Sequence, residues 1–257
     1  MLKGIDDVYV INLDRHKLRK KRIQHNLSFR NIDFKFIKAI DGKDYEIDTS
    51  ILNPIFRDPV GIFTKGVICC ALSHRKAWKK FLDSGKETAL FLEDDVKPTK
   101  YLKSLNWEQF EKDLKQTEWG VCWVGKYWED ITVKKKINDT FYKNERFMDH
   151  AYAAHSYILN RESAKWYYNA TKKIQYAADI RLEVSPFPQI TLNKSLFVQR
   201  HKELEKFRDL IDNKKEYEYL KEWLHFTVED GEWNDNEMYF ANPKLPIKFK
   251  ANKNIEI

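Results

Sequence analysis

Long apolar runs are missing from this chain. Nowhere does it hold the roughly 18 consecutive apolar residues that a membrane-spanning helix requires. Its opening, MLKGIDDVYVINLD, carries acids where a secretory leader needs an apolar core. The expected location is cytoplasmic, with a peripheral position at a membrane as the alternative. Cysteine is scarce as well: Cys69, Cys70 and Cys122 supply no C-x-x-C pair and no zinc spacing, which excludes a disulfide framework and reads as reduced core residues. Only 8 glycines and 7 prolines argue against long disordered stretches, and no internal repeat or low-complexity linker is present. Acids fall short of bases, 39 against 46, for a formal net charge of +7, which suits an anionic partner or a simply solvated basic surface.

What the chain does have is core material. Hydrophobic residues make up 42% and aromatic residues 14% of its 257 positions, enough for one α/β domain with extra elements. VYVINL (8–13) is a β-branched run that empties into a polar loop. HKLRKKRIQHNL follows as a helix with Ile23 and Leu27 inward and a cationic outer face, and IDFKFI then alternates as a strand. Strand, helix, strand in this order predicts a βαβ unit. The spacing in VICCALSHRKAWKKFLDSG predicts a helix stopped by Gly85, leading into the strand TALFL. A further strand is expected at 119–125, a strand pair or bend over 150–159, an exposed loop at 127–144, and a helix after the cap Asn160. Residues 201–226 carry helical spacing, so the organisation expected is a domain over 1–200 with a helical extension over 201–257 packed on it.

TALFLEDDVKP sets Glu93, Asp94 and Asp95 directly after a buried strand. In open α/β sheets that end of a strand is where ligands collect. Two like charges about 4 Å apart repel by roughly 4 kcal/mol at an effective dielectric near 20. A positive group is therefore expected, and a hard divalent cation, Mn²⁺ or Mg²⁺, held by Glu93 and Asp95 together with a diphosphate fits that chemistry. The alternative is that the acids cap a following element or pair with Lys97 and Lys100. Around them, the loop with Asn12, Leu13, Arg15 and Arg19 and the turn with Ala39 and Asp41 form natural walls for a nucleotide. Ser73 and His74, placed at the start of the best helix, are candidates for donor contacts, and Glu93 or Asp94 for ribose. Trp123, Tyr127 and Trp128 read either as a stacking surface for sugar rings or as core.

VINLDRHKLRKKRI, KAIDGK, KGVICCALSHRKAWKKFLDSGKETALFLEDDVKP and HAYAAHSYILNRESAKW, in that order, resemble glycosyltransferase family 25, the lipooligosaccharide and collagen-type galactosyltransferases. The resemblance covers about Val8 to Gln199 and departs from the family's G-E-I-G-C at Val67 and Cys69. It implies a GT-A nucleotide-sugar fold, a Rossmann-like mixed sheet flanked by helices. It further implies a UDP-sugar donor, usually UDP-galactose, a DxD-type metal motif represented by Glu93, Asp94 and Asp95, and inverting transfer onto a hydroxyl. Asp179 carries over as a candidate from the family's late acidic segment. We read it as the general base, with Glu183 one turn behind it.

The acceptor expected is a glycan such as lipooligosaccharide, with hydroxylysine of a collagen-like peptide as the alternative, and the basic surface suits contact with an anionic membrane. No nucleic-acid partner is expected. The competing readings are a metal-dependent nuclease or phosphotransferase and a non-catalytic sugar- or nucleotide-binding module.

Overall fold

A computed structural model of the chain describes residues 2–52, 64–125, 134–144 and 154–199. In chain order its elements are β1 (Asp7–Asn12), α1 (Lys17–Ser28), β2 (Lys35–Lys38), a 3-10 turn (Thr49–Ile51), α2 (Lys65–Ser84), β3 (Thr88–Glu93), β4 (Val96–Pro98), α3 (Tyr101–Ser104), α4 (Trp107–Gln116), β5 (Val121–Trp123), β6 (Lys134–Lys136), β7 (Phe141–Asn144), β8 (Ser156–Asn160), α5 (Arg161–Ala170), α6 (Ala178–Glu183), β9 (Gln189–Leu192) and β10 (Phe197–Gln199). Eight strands form one mixed sheet in the order β2-β1-β3-β8-β5-β9-β7-β6, and β4 pairs with β10 in a separate ribbon. This is the mixed, Rossmann-like α/β architecture expected from the sequence.

Burial explains why the strands read as unbroken apolar runs. Every residue of β1 is buried, as are the four central residues of β3, because helices cover both faces. One face packs Val8, Val10, Leu90 and Leu92 against Ile23 and Leu27 of α1 and Phe110 and Leu114 of α4. The other packs Tyr9, Ile11, Ala89 and Phe91 against Trp78 and Phe81 of α2 and Ala164 and Tyr167 of α5. α2 is bounded by local chemistry: the Thr64 hydroxyl accepts from Val67 N, and Gly85 stops the helix at φ 73°, where a side chain would be strained. The Asn160 side chain accepts from Ser163 N at 2.8 Å and starts α5 as predicted.

β1 lies between β2 and β3 and runs parallel to both. The chain leaves β1 through α1 to one side and returns through α2 to the other, so the crevice between the ends of β1 and β3 is a topological switch point.

One expectation needs correcting. Of the span 127–144 expected as an exposed loop, residues 134–144 form the antiparallel hairpin β6–β7, attached to the sheet through β9. The Asn138 side chain closes its turn by accepting from Thr140 N and Phe141 N, and Phe141 is fully buried, which outweighs the lysines at the sheet edge. After the acid turn, Val96, Lys97 and Pro98 form β4. The extension expected over 201–257, and Tyr127 and Trp128, lie outside the described residues. Among the described residues, no helix is long and apolar enough to cross a membrane.

Candidate functional site

Asn12 closes β1 and Glu93 closes β3, so both side chains stand at the switch point. Asp94 and Asp95 form the tight turn between β3 and β4. The repulsion among the three acids is met by the protein itself. Arg19, on the inner side of α1, donates from one nitrogen to Asp94 Oδ1 at 2.9 Å and to Asp95 Oδ2 at 3.1 Å. Asn12 Nδ2 donates to Asp94 Oδ2 at 2.7 Å, with His16 Nδ1 3.7 Å from the same oxygen. Asp94 therefore has both oxygens engaged and is 8% exposed. It fixes the turn, and Arg19, expected in the nucleotide wall, holds the acids.

Glu93 and Asp95 are different. Glu93 Oε1 accepts from His74 Nε2 at 3.2 Å and from the Cys70 thiol at 3.7 Å, while its other oxygen has no partner among the described residues. Asp95 Oδ2 faces Arg19 and Gln199, at 3.1 and 3.5 Å, while its Oδ1 is buried without a hydrogen bond. Each carboxylate thus keeps one uncommitted oxygen. That donor set fits a hard divalent cation, which takes one or two carboxylates and completes its shell with substrate phosphate and water. Burial, the Glu93 charge and Asp94 push the Asp95 carboxyl up to about 7 against the pull of Arg19. Burial also acts to raise Glu93, but the His74 hydrogen bond and the neighbouring His74 and His155 rings more than offset it and hold it below the usual range.

His74 is completely buried, as is Ser73 within 2%. Neither is open to a nucleotide. Ser73 Oγ instead accepts from Ile40 N at 2.8 Å and donates to Cys69 O at 2.6 Å, tying α2 to the turn after β2. His74 sits in a hydrogen-bonded chain that runs from Trp78 through Tyr157 to Glu93. Trp78 Nε1 can only donate, and does so to the Tyr157 hydroxyl at 2.9 Å. That hydroxyl donates to His74 Nδ1 at 2.7 Å, which leaves the Nε2 proton pointing at Glu93. Burial keeps the Tyr157 phenol protonated, well above its ordinary range. Sequence reasoning missed Tyr157 and Cys70. The i, i+4 spacing of Cys70 and His74 on one helix was a usable signal; the Tyr157 contact, from a strand 83 residues away, had none.

The nucleotide walls are joined. Arg15 pairs with Asp41, whose carboxylate also accepts from Lys43 N, and Ala39 N donates to Asn12 O at 2.9 Å. Leu13 shapes the same loop by accepting from His16 N. Trp123 is 2% exposed and bonds Gln189, so it belongs to the core.

Asp179 and Glu183 share α6 as expected, one turn apart. Burial raises the Asp179 carboxyl, and the charge of Glu93 adds to it, so α6 lies within electrostatic reach of the acid turn. Glu183 is 4% exposed with both oxygens unbonded, and burial together with Asp179 lifts it to about 7.

Comparison with known proteins follows the same residues. The family model described as glycosyltransferase family 25 (LPS biosynthesis protein) matches residues 5–182. Procollagen galactosyltransferase 2 of Homo sapiens is 29% identical over 244 residues, 91% of this chain and 37% of that protein. Probable inactive glycosyltransferase 25 family member 3 of Bos taurus is 24% identical, covering 91% and 40%. The chain therefore spans somewhat more than a third of the length of these relatives. A glycosyltransferase involved in glycosylation of the major capsid of PBCV-1 superposes with TM-score 0.44 and 10% identity, over 80% of this chain and 100% of that one.

Proposed function

Because the chain belongs to glycosyltransferase family 25, we propose that it moves a hexose, galactose in our reading, from a UDP-sugar to a hydroxyl of a glycan acceptor with inversion at C1. The observation that carries this reading is the pair of uncommitted carboxylate oxygens, one on Glu93 and one on Asp95, at the switch point of the sheet. Those two residues would hold Mn²⁺ or Mg²⁺, which when bound supplies positive charge against the diphosphate leaving group.

The remaining chemistry belongs to the chain. Asn12 and Arg19 lock Asp94 and one oxygen of Asp95, so the acid turn is preorganised before substrate arrives. The loops joined by Arg15 and Asp41 flank the crevice in which the nucleotide would lie. Asp179 would accept the proton of the acceptor hydroxyl as its oxygen bonds to C1 and the bond from C1 to UDP breaks. A carboxyl raised toward neutrality suits that task. Glu183 lies one turn behind it on α6, where the Asp179 charge and burial favour its protonated form.

The relatives named procollagen galactosyltransferase support a second acceptor, hydroxylysine of a collagen-like peptide. Incubation with Mn²⁺ and individual UDP-sugars, with glycan and hydroxylysyl peptide acceptors in turn, tests the proposal through UDP release. Cleavage of an oligonucleotide without UDP release would replace it with the nuclease reading. Binding of UDP-sugar without turnover on any acceptor would replace it with a binding module.

A further inference from the structure

Helix α1 presents an unusual outer face. Its inward side is occupied by Ile23 and Leu27, both buried, and by Arg19 reaching the acid turn. The direction opposite a helix's buried stripe is normally polar. Here Leu18 is 69% exposed and Phe29, at the helix end, 76%. These are two of the three exposed large hydrophobic side chains among the described residues, the third being Ile137. Eleven residues separate them, within about 20° of three full turns, so they share one line along the helix about 16 Å apart. His25 lies on that line and stacks on Phe29, and Lys17, Lys21 and Arg22 flank it, all exposed. The twelve residues of α1 include five lysines and arginines and no acid.

We propose that this face of α1 adsorbs to an anionic lipid surface, with Leu18 and Phe29 entering the headgroup region and Lys17 and Lys21 against lipid phosphates. Charge chooses this occupant. Two apolar anchors ringed by cations, without a single acid on the element, match the pattern of interfacial helices and a negatively charged leaflet. A protein partner burying Leu18 and Phe29 would have to neutralise the same cations with acids of its own. The consequence for the site is geometric: Arg19 holds Asp94 and Asp95 from the opposite side of the same helix. Adsorption would place the acid turn about one helix diameter, roughly 10 Å, from the lipid surface. The inference stands on exposure and charge alone and does not depend on the reaction.

The test is flotation of the full chain with vesicles of phosphatidylcholine containing about one third phosphatidylglycerol, and with pure phosphatidylcholine, at low and high salt. The expected result is binding to the anionic vesicles only, weakened by salt. Leu18→Ser with Phe29→Ser, and separately Lys17→Glu with Lys21→Glu, should each lower the partition coefficient by roughly tenfold. Circular dichroism and the melting temperature should be unchanged, since these side chains face solvent. The proposal is overturned if the wild type ignores anionic vesicles or binds neutral ones equally well. Equal binding by the serine variant would assign adsorption to diffuse positive charge, and equal binding by both variants to another part of the chain; either result also overturns it.

Discussion

The Tyr157 hydroxyl lies 2.7 Å from Nδ1 of His74 and joins that ring to Trp78, while its Nε2 faces Glu93. Trp78 donates to the Tyr157 oxygen, and in the neutral ring that takes the phenol's proton at Nδ1, Nε2 carries the proton that faces Glu93. Tyr157→Phe should remove the acceptor of Trp78 and the donor to His74 together. We expect a loss of about 1–3 kcal/mol, the cost of leaving buried groups unpaired, with turnover falling because Glu93 is no longer oriented. Urea unfolding and initial rates on the same preparation check this; unchanged stability and rate would show that the chain of donors does not position Glu93.

Arg19 is the internal counter-charge of the acid turn. Arg19→Met should cost about 1.5–3 kcal/mol for a hydrogen bond to a charged group and should reduce activity at least tenfold. Arg19→Lys should recover only part of both, since the lysine nitrogen stands one atom short of the Nη1 that makes both contacts. Equal behaviour of the two variants, measured by denaturation and kinetics, would remove Arg19 from this role.

Glu183 provides a pH signature. Its carboxyl is lifted to about 7 in the folded chain against about 4.5 unfolded, so below pH 4 both states hold the proton and nothing differs. Between those values the unfolded state loses its proton first, and stability falls as pH rises through about 7. Glu183→Gln should therefore match the wild type at pH 4 and exceed it by about 2–3 kcal/mol at pH 8. Chemical denaturation at both pH values measures the difference; the same gap at each would contradict the assignment.

Gly125, just past β5, permits the close approach of β8 and β10. A Cβ there would collide with Ser156 Oγ, His155 Nε2 and Phe197 O. Gly125→Ala should destabilise by about 1–3 kcal/mol, the usual cost of overpacking, and should lower activity by shifting the strand that carries Tyr157. Thermal unfolding and rate measurements serve; a variant as stable and active as the wild type would mean that β8 tolerates the shift.

Much of the fold was legible because it is written locally. β1 and β3 are short apolar runs, α2 carries its own cap and glycine stop, and the acids fall directly after a strand, so their place at the end of β3 is legible locally. The hairpin β6–β7 was not legible, because its strands hold mostly lysines and depend on one buried Phe141 and on pairing with the distant β9. The division of labour among the acids was hidden for the same reason. Asp94 is occupied by Asn12 and Arg19, 82 and 75 residues away, and no local pattern distinguishes it from Asp95.

The central claim is that Glu93 and Asp95 each offer a free oxygen to a divalent ion that serves UDP departure. The most direct measurement is Mn²⁺ binding by electron paramagnetic resonance in the presence of UDP, for the wild type and Asp95→Asn, alongside UDP release from the UDP-sugar. The account predicts a bound-Mn²⁺ signal and turnover in the wild type, and loss of both in a variant whose circular dichroism is unchanged. Full Mn²⁺ binding and near-normal turnover in Asp95→Asn would contradict it.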